Sequence, residues 1–270
     1  MEIFGYIAAV FIGISLGLIG GGGSILTVPV LVYLFGINPL LATSYSLFVV
    51  GATSLVGAFN SYQKKLVSIK TALLFGLSSI TTVFLTRKFL IPIIPKKIAT
   101  LGKFTITDSL VTMVLFALLM VIASVAMIRN GESKKIKQDN SNEKIGYSKL
   151  LLYGIIIGIV TGLLGAGGGF LLIPTLVLLM NLPMKEAVGT SLLIIALNSL
   201  IGFTGDLGHF TIDWFFLLKI TVIAIAGIIA GGFLAKKFHG EKLKKGFGWF
   251  VLIMGIYILT KEFFFSAHKI

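Results

Sequence analysis

The chain has 270 residues, 56% hydrophobic and 12% charged, with a mean hydropathy of +1.03. A soluble protein surface takes roughly a quarter of residues charged, so this is a polytopic membrane protein. The net charge of +13 does not point to nucleic acid, because the lysines fall in short intervals between apolar runs, and the absence of cysteine excludes disulfides, thiol catalysis and cysteine metal sites.

The N-terminus, Met1-Glu2-Ile3-Phe4, has no basic region before its apolar run and reads as part of the mature fold. Apolar segments follow at 4–19, 25–36, 41–62, 70–90, 106–128, 149–164, 170–181, 187–204, 214–235 and 246–264. Runs of about 20 residues predict helices; strands of a barrel would alternate over about ten. The long hydrophilic interval 129–148 carries Arg129, Lys134, Lys135, Lys137 and Lys144 and divides the chain in two.

Each half opens with a glycine run. Gly20-Gly21-Gly22-Gly23-Ser24 precedes Pro29, and Gly165-Ala166-Gly167-Gly168-Gly169 precedes Pro174, 145 positions later. The same offset pairs Ala42 with Ala187, Ser46 with Ser191, Thr53 with Asn198, and Ser54 with Ser199. This is an internal duplication, with residues 1–128 as the first repeat, 129–148 as a basic cytoplasmic linker and 149–270 as the second repeat.

Segments 25–36 and 170–181 reach about 18 Å as helices, short of the hydrocarbon core of about 30 Å. The preferred reading makes each glycine run the tip of a re-entrant hairpin; the alternative is a tight turn between two tilted full spans, with glycine serving close packing. Three more spans complete each half, so the copies are predicted to lie inverted in the membrane. Loops 63–70, 129–149, 181–186 and 236–245 then share a side with fifteen Lys and Arg, against seven on the side of 87–105, 205–213 and the termini. Positive-inside places the fifteen in the cytoplasm and both termini outside.

Non-helical backbone at membrane depth survives only inside protein or facing water. Two tips meeting near the midplane would point half-helix N-termini, beginning near Ser24 and Gly169, at a shared site. Their N–H groups suit a small oxyanion, and glycine lets it approach. Gly22, Gly23, Ser24, Gly167, Gly168 and Gly169 are the candidate lining, supplemented by Ser46, Thr190, Ser191 and Asn198 on the following helices. Thr43, Ser44, Thr53, Ser54 and Ser199 share those helices, and ordinary interhelical hydrogen bonding is the competing account of all these polar groups. Pro29 and Pro174 read as bends in the half-helices or as tolerated packing kinks.

Gly17 to Gly22 imitates part of a nucleotide loop, but Gly23 stands where the lysine would be, so an NTP site is rejected. Asp206, His209 and Asp213 read as solvated residues of a short outer loop, and Lys219 as a side chain reaching out of its span. No span holds a metal-spaced cluster or a Ser–His–Asp set, so neither an enzyme nor a bound cofactor is expected.

These motifs, with Ala187-x-Gly189-Thr190-Ser191-Leu192 and Gly208-x-x-Thr211-Ile212-Asp213-Trp214, resemble the sulfite exporter TauE/SafE family of membrane transporters over nearly the whole chain. In the first half Ala42-Thr43-Ser44-Tyr45-Ser46 replaces the Gly-Thr-Ser form. The resemblance implies a multi-pass plasma-membrane carrier of small anions, often sulfur oxyanions or sulfonates, coupled to a proton or cation gradient. The partners expected are the anion, a coupling ion and membrane lipid. A passive anion channel and a non-transporting membrane assembly or stress protein are the rival readings.

Overall fold

Helices begin where the duplication predicts them. The computed structural model describes residues 2–95, 97–101, 104–129, 147–180, 182–234 and 240–266. Helices α1 (Glu2–Ile19), α3 (Pro39–Gln63) and α4 (Ile69–Leu85) start 145 positions before α7 (Tyr147–Leu164), α9 (Met184–Asp206) and α10 (Trp214–Leu234). Most of the interval 129–148, read as the cytoplasmic linker, lies outside the described residues.

The hairpins have unequal second arms. After α1 a 3-10 stretch, Gly21–Leu26, leads into α2 (Thr27–Tyr33), whereas α8 (Gly169–Met180) is helical from its first residue. The first half-helix thus starts its tight turn at Gly21, earlier than Ser24. Pro29 falls in the first turn of α2, where a missing N–H costs nothing, while Pro174 is interior to α8 and removes a donor there. Arms α1 and α7, of 18 residues each, reach about 27 Å; α8 reaches about 18 Å.

Helix α4 outruns the predicted segment 70–90. It continues through a π-helical turn, Thr86–Leu90, and α5 (Ile91–Ile93), and a two-stranded hairpin follows, β1 (Lys97–Leu101) on β2 (Phe104–Thr107). Arg87 and Lys88, assigned to an outer loop by charge, are therefore helical. The fold closes with α6 (Asp108–Arg129) and α11 (Gly240–Ser266). Among the described residues, five helices are long and apolar enough to cross a membrane, the longest being Pro39–Gln63 and Ile69–Ile93. The protein is an all-α polytopic membrane protein, and Phe4, Leu77, Phe215 and Phe233 are among its exposed apolar side chains, as a lipid-facing surface requires.

Packing crosses between the halves. Helix α1 lies on α10 and α7 on α4; α3 packs on α9, and α6 on α11. Glycine permits these approaches: Gly13 and Gly17 of α1 lie on the backbone of α10, and Gly154, Gly158 and Gly162 of α7 lie on α4. Each contact has its counterpart when the halves are exchanged. Helices α3 and α9, both two-thirds buried, form the centre.

Candidate functional site

Gly20 and Gly165 end α1 and α7 at positive φ, 75 and 67, and donate their N–H groups to the carbonyls of Leu16 and Thr161. Only glycine adopts that φ without strain, so the chain breaks there in both copies. The two tips then meet. A methyl group added to Gly21 would overlap the backbone of Gly169, and one on Gly169 would overlap Gly21. The tips touch directly, where the sequence suggested amides facing across a gap.

All ten sequence-predicted site residues are buried: six belong to the tips themselves and four to α3 and α9. Gly22 lies in the 3-10 stretch, and Ser24 turns its Oγ back to the Gly21 carbonyl at 2.7 Å. Gly167 abuts Val50, Ile195 and Ser199. Gly23 faces Ser15 Oγ on α1, and its repeat counterpart Gly168 faces Thr161 Oγ1 on α7. Ser46 crosses between the halves and donates to the Gly165 carbonyl at 2.7 Å, whereas Ser191 bonds within its own helix to Val188. Asn198 accepts from Ser79 Oγ at 3.0 Å. Thr190 lies in the second turn of α9, accepting the Ser68 N–H ahead of α4 at 2.9 Å. Its counterpart Tyr45 accepts the Asp213 N–H ahead of α10 at 2.7 Å.

Three buried hydroxyls beside the tips have no protein partner, Ser15 Oγ, Thr161 Oγ1 and Ser199 Oγ, and neither does Asn198 Nδ2. Ser54, the repeat counterpart of Ser199, is likewise unpaired, and so is Thr27 Oγ1. An unmade hydrogen bond at such a place costs about 1–3 kcal/mol, so a cluster of them marks a place kept polar for something else. Each of these hydroxyl and amide groups keeps a hydrogen bond to offer.

One pair corrects the sequence reading. Asp206 is not solvated: it ends α9 fully buried, and its Oδ2 lies 3.2 Å from Nη1 of Arg87, itself fully buried. Arg87 Nη1 also donates to Thr43 Oγ1 at 3.0 Å, and Thr43 packs on Gly165. His209 is exposed, and Asp213 caps α10 by accepting the Phe216 N–H. Lys219 is exposed, its Nζ 4.3 Å over the Tyr6 ring. The signal for Arg87 was present: the apolar run continues past it through Phe89, Leu90 and Ile91. A small recess lined by Ile91, Asp108, Thr112, Leu115, Leu163 and Leu164 lies one turn along from Arg87. Among the described residues no group of three His, Asp or Glu gathers that could hold a metal.

Comparison with known proteins agrees with this architecture. The model of the sulfite exporter TauE/SafE family matches residues 6–258. A probable membrane transporter protein of Xylella fastidiosa (strain 9a5c) is 29% identical over 254 residues, spanning 93% of this chain and 92% of its own. The probable membrane transporter protein YunE of Bacillus subtilis (strain 168) is 26% identical over 283 residues, with 94% of each chain covered. A third, MJ0441 of Methanocaldococcus jannaschii, is 27% identical over 229 residues, covering 83% of this chain and 79% of its own. No solved structure is significantly similar.

Proposed function

The chain belongs to the sulfite exporter TauE/SafE family, and on that premise we propose that this membrane transporter carries a small anion, a sulfur oxyanion or organosulfonate, by alternating access between two inverted repeats. The protein is not an enzyme. The observation that carries the reading is the set of unpartnered buried donors, Ser15, Thr161 and Ser199 beside the glycine tips and Asn198 next to Ser199 in the chain. Hydroxyl, amide and backbone N–H donors without a lysine bind an oxyanion by hydrogen bonds and dipole, weakly enough to release it.

In this reading Gly22, Gly23, Ser24, Gly167, Gly168 and Gly169 offer backbone to the anion, and Ser46, Thr190, Ser191 and Asn198 flank its path. Binding parts the Gly21–Gly169 contact by about the width of the ligand, and rocking of one repeat on the other exposes the site to each side in turn. The repeats are residues 1–128 and 149–270 in the plasma membrane, with both termini outside and the 129–148 interval cytoplasmic. A proton or cation gradient drives the cycle.

Flux through reconstituted protein with sulfite, sulfate, thiosulfate and sulfonates, with and without a proton gradient, tests this. Uphill accumulation identifies a carrier; fluxes that only equalise concentrations identify a passive channel. Gly168→Leu is expected to abolish flux with membrane insertion intact, since its side chain would overlap Thr161 Oγ1 at a position of positive φ. Full transport by a Gly23→Leu, Gly168→Leu double variant would remove the site. Labelling of a cysteine placed at position 137 in intact cells would overturn the orientation.

A further inference from the structure

We propose that the free edge of Arg87 is a second oxyanion subsite, adjoining the second glycine tip, at which the transported anion is recognised by shape as well as charge. The proposal rests on the small-anion reading above and adds a residue to it.

Arg87 spends only Nη1 on its neighbours, Asp206 Oδ2 and Thr43 Oγ1. Its Nε and Nη2 are buried and have no partner. Those two nitrogens form one side of the planar guanidinium, the side that grips two oxygens of a carboxylate or sulfonate in parallel hydrogen bonds. Leaving both unpaired in the protein interior is expensive.

A purely structural pair would not look like this. Apolar side chains of similar volume hold two buried helices at least as well as an ion pair does. The other half of the protein also meets the same packing without charge: the repeat counterparts of Arg87 and Asp206 are Gly232 and Ser61. The corresponding packing in that half forms without the pair.

Its position fits a ligand. Arg87 stands in the π-helical turn of α4, a feature frequent at functional sites, and Gly205 lets α9 come close to it. Through Thr43 it is one residue from Gly165. Ile91, a turn further along the same helix, and Leu164, beside Gly165, both line the recess, so open space begins one helical turn from Arg87 in the chain. Asp206 offsets the charge of Arg87 from the opposite side, so a bound monoanion takes the vacant edge without displacing the pair.

Binding of methanesulfonate, sulfite and chloride to the purified full chain in detergent, followed by calorimetry and thermal shift, tests the proposal. Arg87→Lys keeps the charge and loses the fork. Arg87→Met with Asp206→Leu removes both charges and keeps the volume. Both are expected to weaken methanesulfonate and sulfite at least tenfold and chloride by much less, since chloride has no pair of oxygens to make two parallel bonds with the fork. Asp206→Asn leaves the guanidinium uncompensated, so sulfite should raise its melting temperature by more than it raises that of the parent. A folded Arg87→Met, Asp206→Leu variant that binds both oxyanions as the parent does overturns the subsite and leaves the anion reading standing. A parent protein that responds to neither oxyanion overturns both.

Discussion

Ser46 of the first half donates its hydroxyl to the carbonyl of Gly165 in the second, at 2.7 Å, with both groups buried. The bond holds the left-handed residue that opens the second tip. Ser46→Ala strands that carbonyl and is expected to cost about 1–3 kcal/mol, read as a lower melting temperature in detergent. Ser191→Ala, at the repeat counterpart, removes only a bond within α9 and should cost less. Equal losses at the two positions would show that the cross-half bond adds nothing.

The hydrogen bonds from Ser68 to Thr190 and from Asp213 to Tyr45 are repeat equivalents. Each anchors the start of one helix on the other half. Thr190→Val and Tyr45→Phe should each lose about 1 kcal/mol, and the double variant should lose the sum within about 0.5 kcal/mol, since the two bonds share no partner. Strong non-additivity in melting temperatures would show that the two ends are mechanically linked.

Arg87→Met alone leaves Asp206 buried and uncompensated, which should cost about 3–5 kcal/mol and reduce the yield of monodisperse protein. Adding Asp206→Leu should restore most of that stability. Size-exclusion profiles of the three proteins decide it: a double variant worse than the single would mean the ion pair is needed to hold α4 on α9.

Glycine substitutions should sort by what lies opposite. Gly21→Ala forces a methyl group into the backbone of Gly169 and should cost about 1–3 kcal/mol. Gly246→Ala in α11 meets nothing within 4 Å and should gain up to about 1 kcal/mol from helix propensity. The two melting temperatures should move in opposite directions.

Much of this was legible in the sequence. The offset of 145 relates the starts of α3 and α9, and of α4 and α10, because a duplicated chain repeats its apolar pattern even where the caps differ, Asn38 against Pro183. Ser46, Thr190 and Asn198 stood out as polar groups in apolar runs, and each makes a contact with the other half. Arg87 and Asp206 escaped because each sits near the end of its run, where a charge normally reaches water. Only the packing of α4 on α9 shows that these two ends cover one another. The direct contact between the tips was also hidden, since a glycine run specifies freedom of approach and says nothing of what approaches.

That contact between Gly21 and Gly169 leaves neither partner a smaller residue to retreat to. A bulky replacement on one side cannot be rescued by trimming the other, as it could where two larger side chains meet. Selection for revertants of a Gly21 variant should therefore return glycine at position 21, or changes in the helices that carry the tips, and never a compensating substitution at 169.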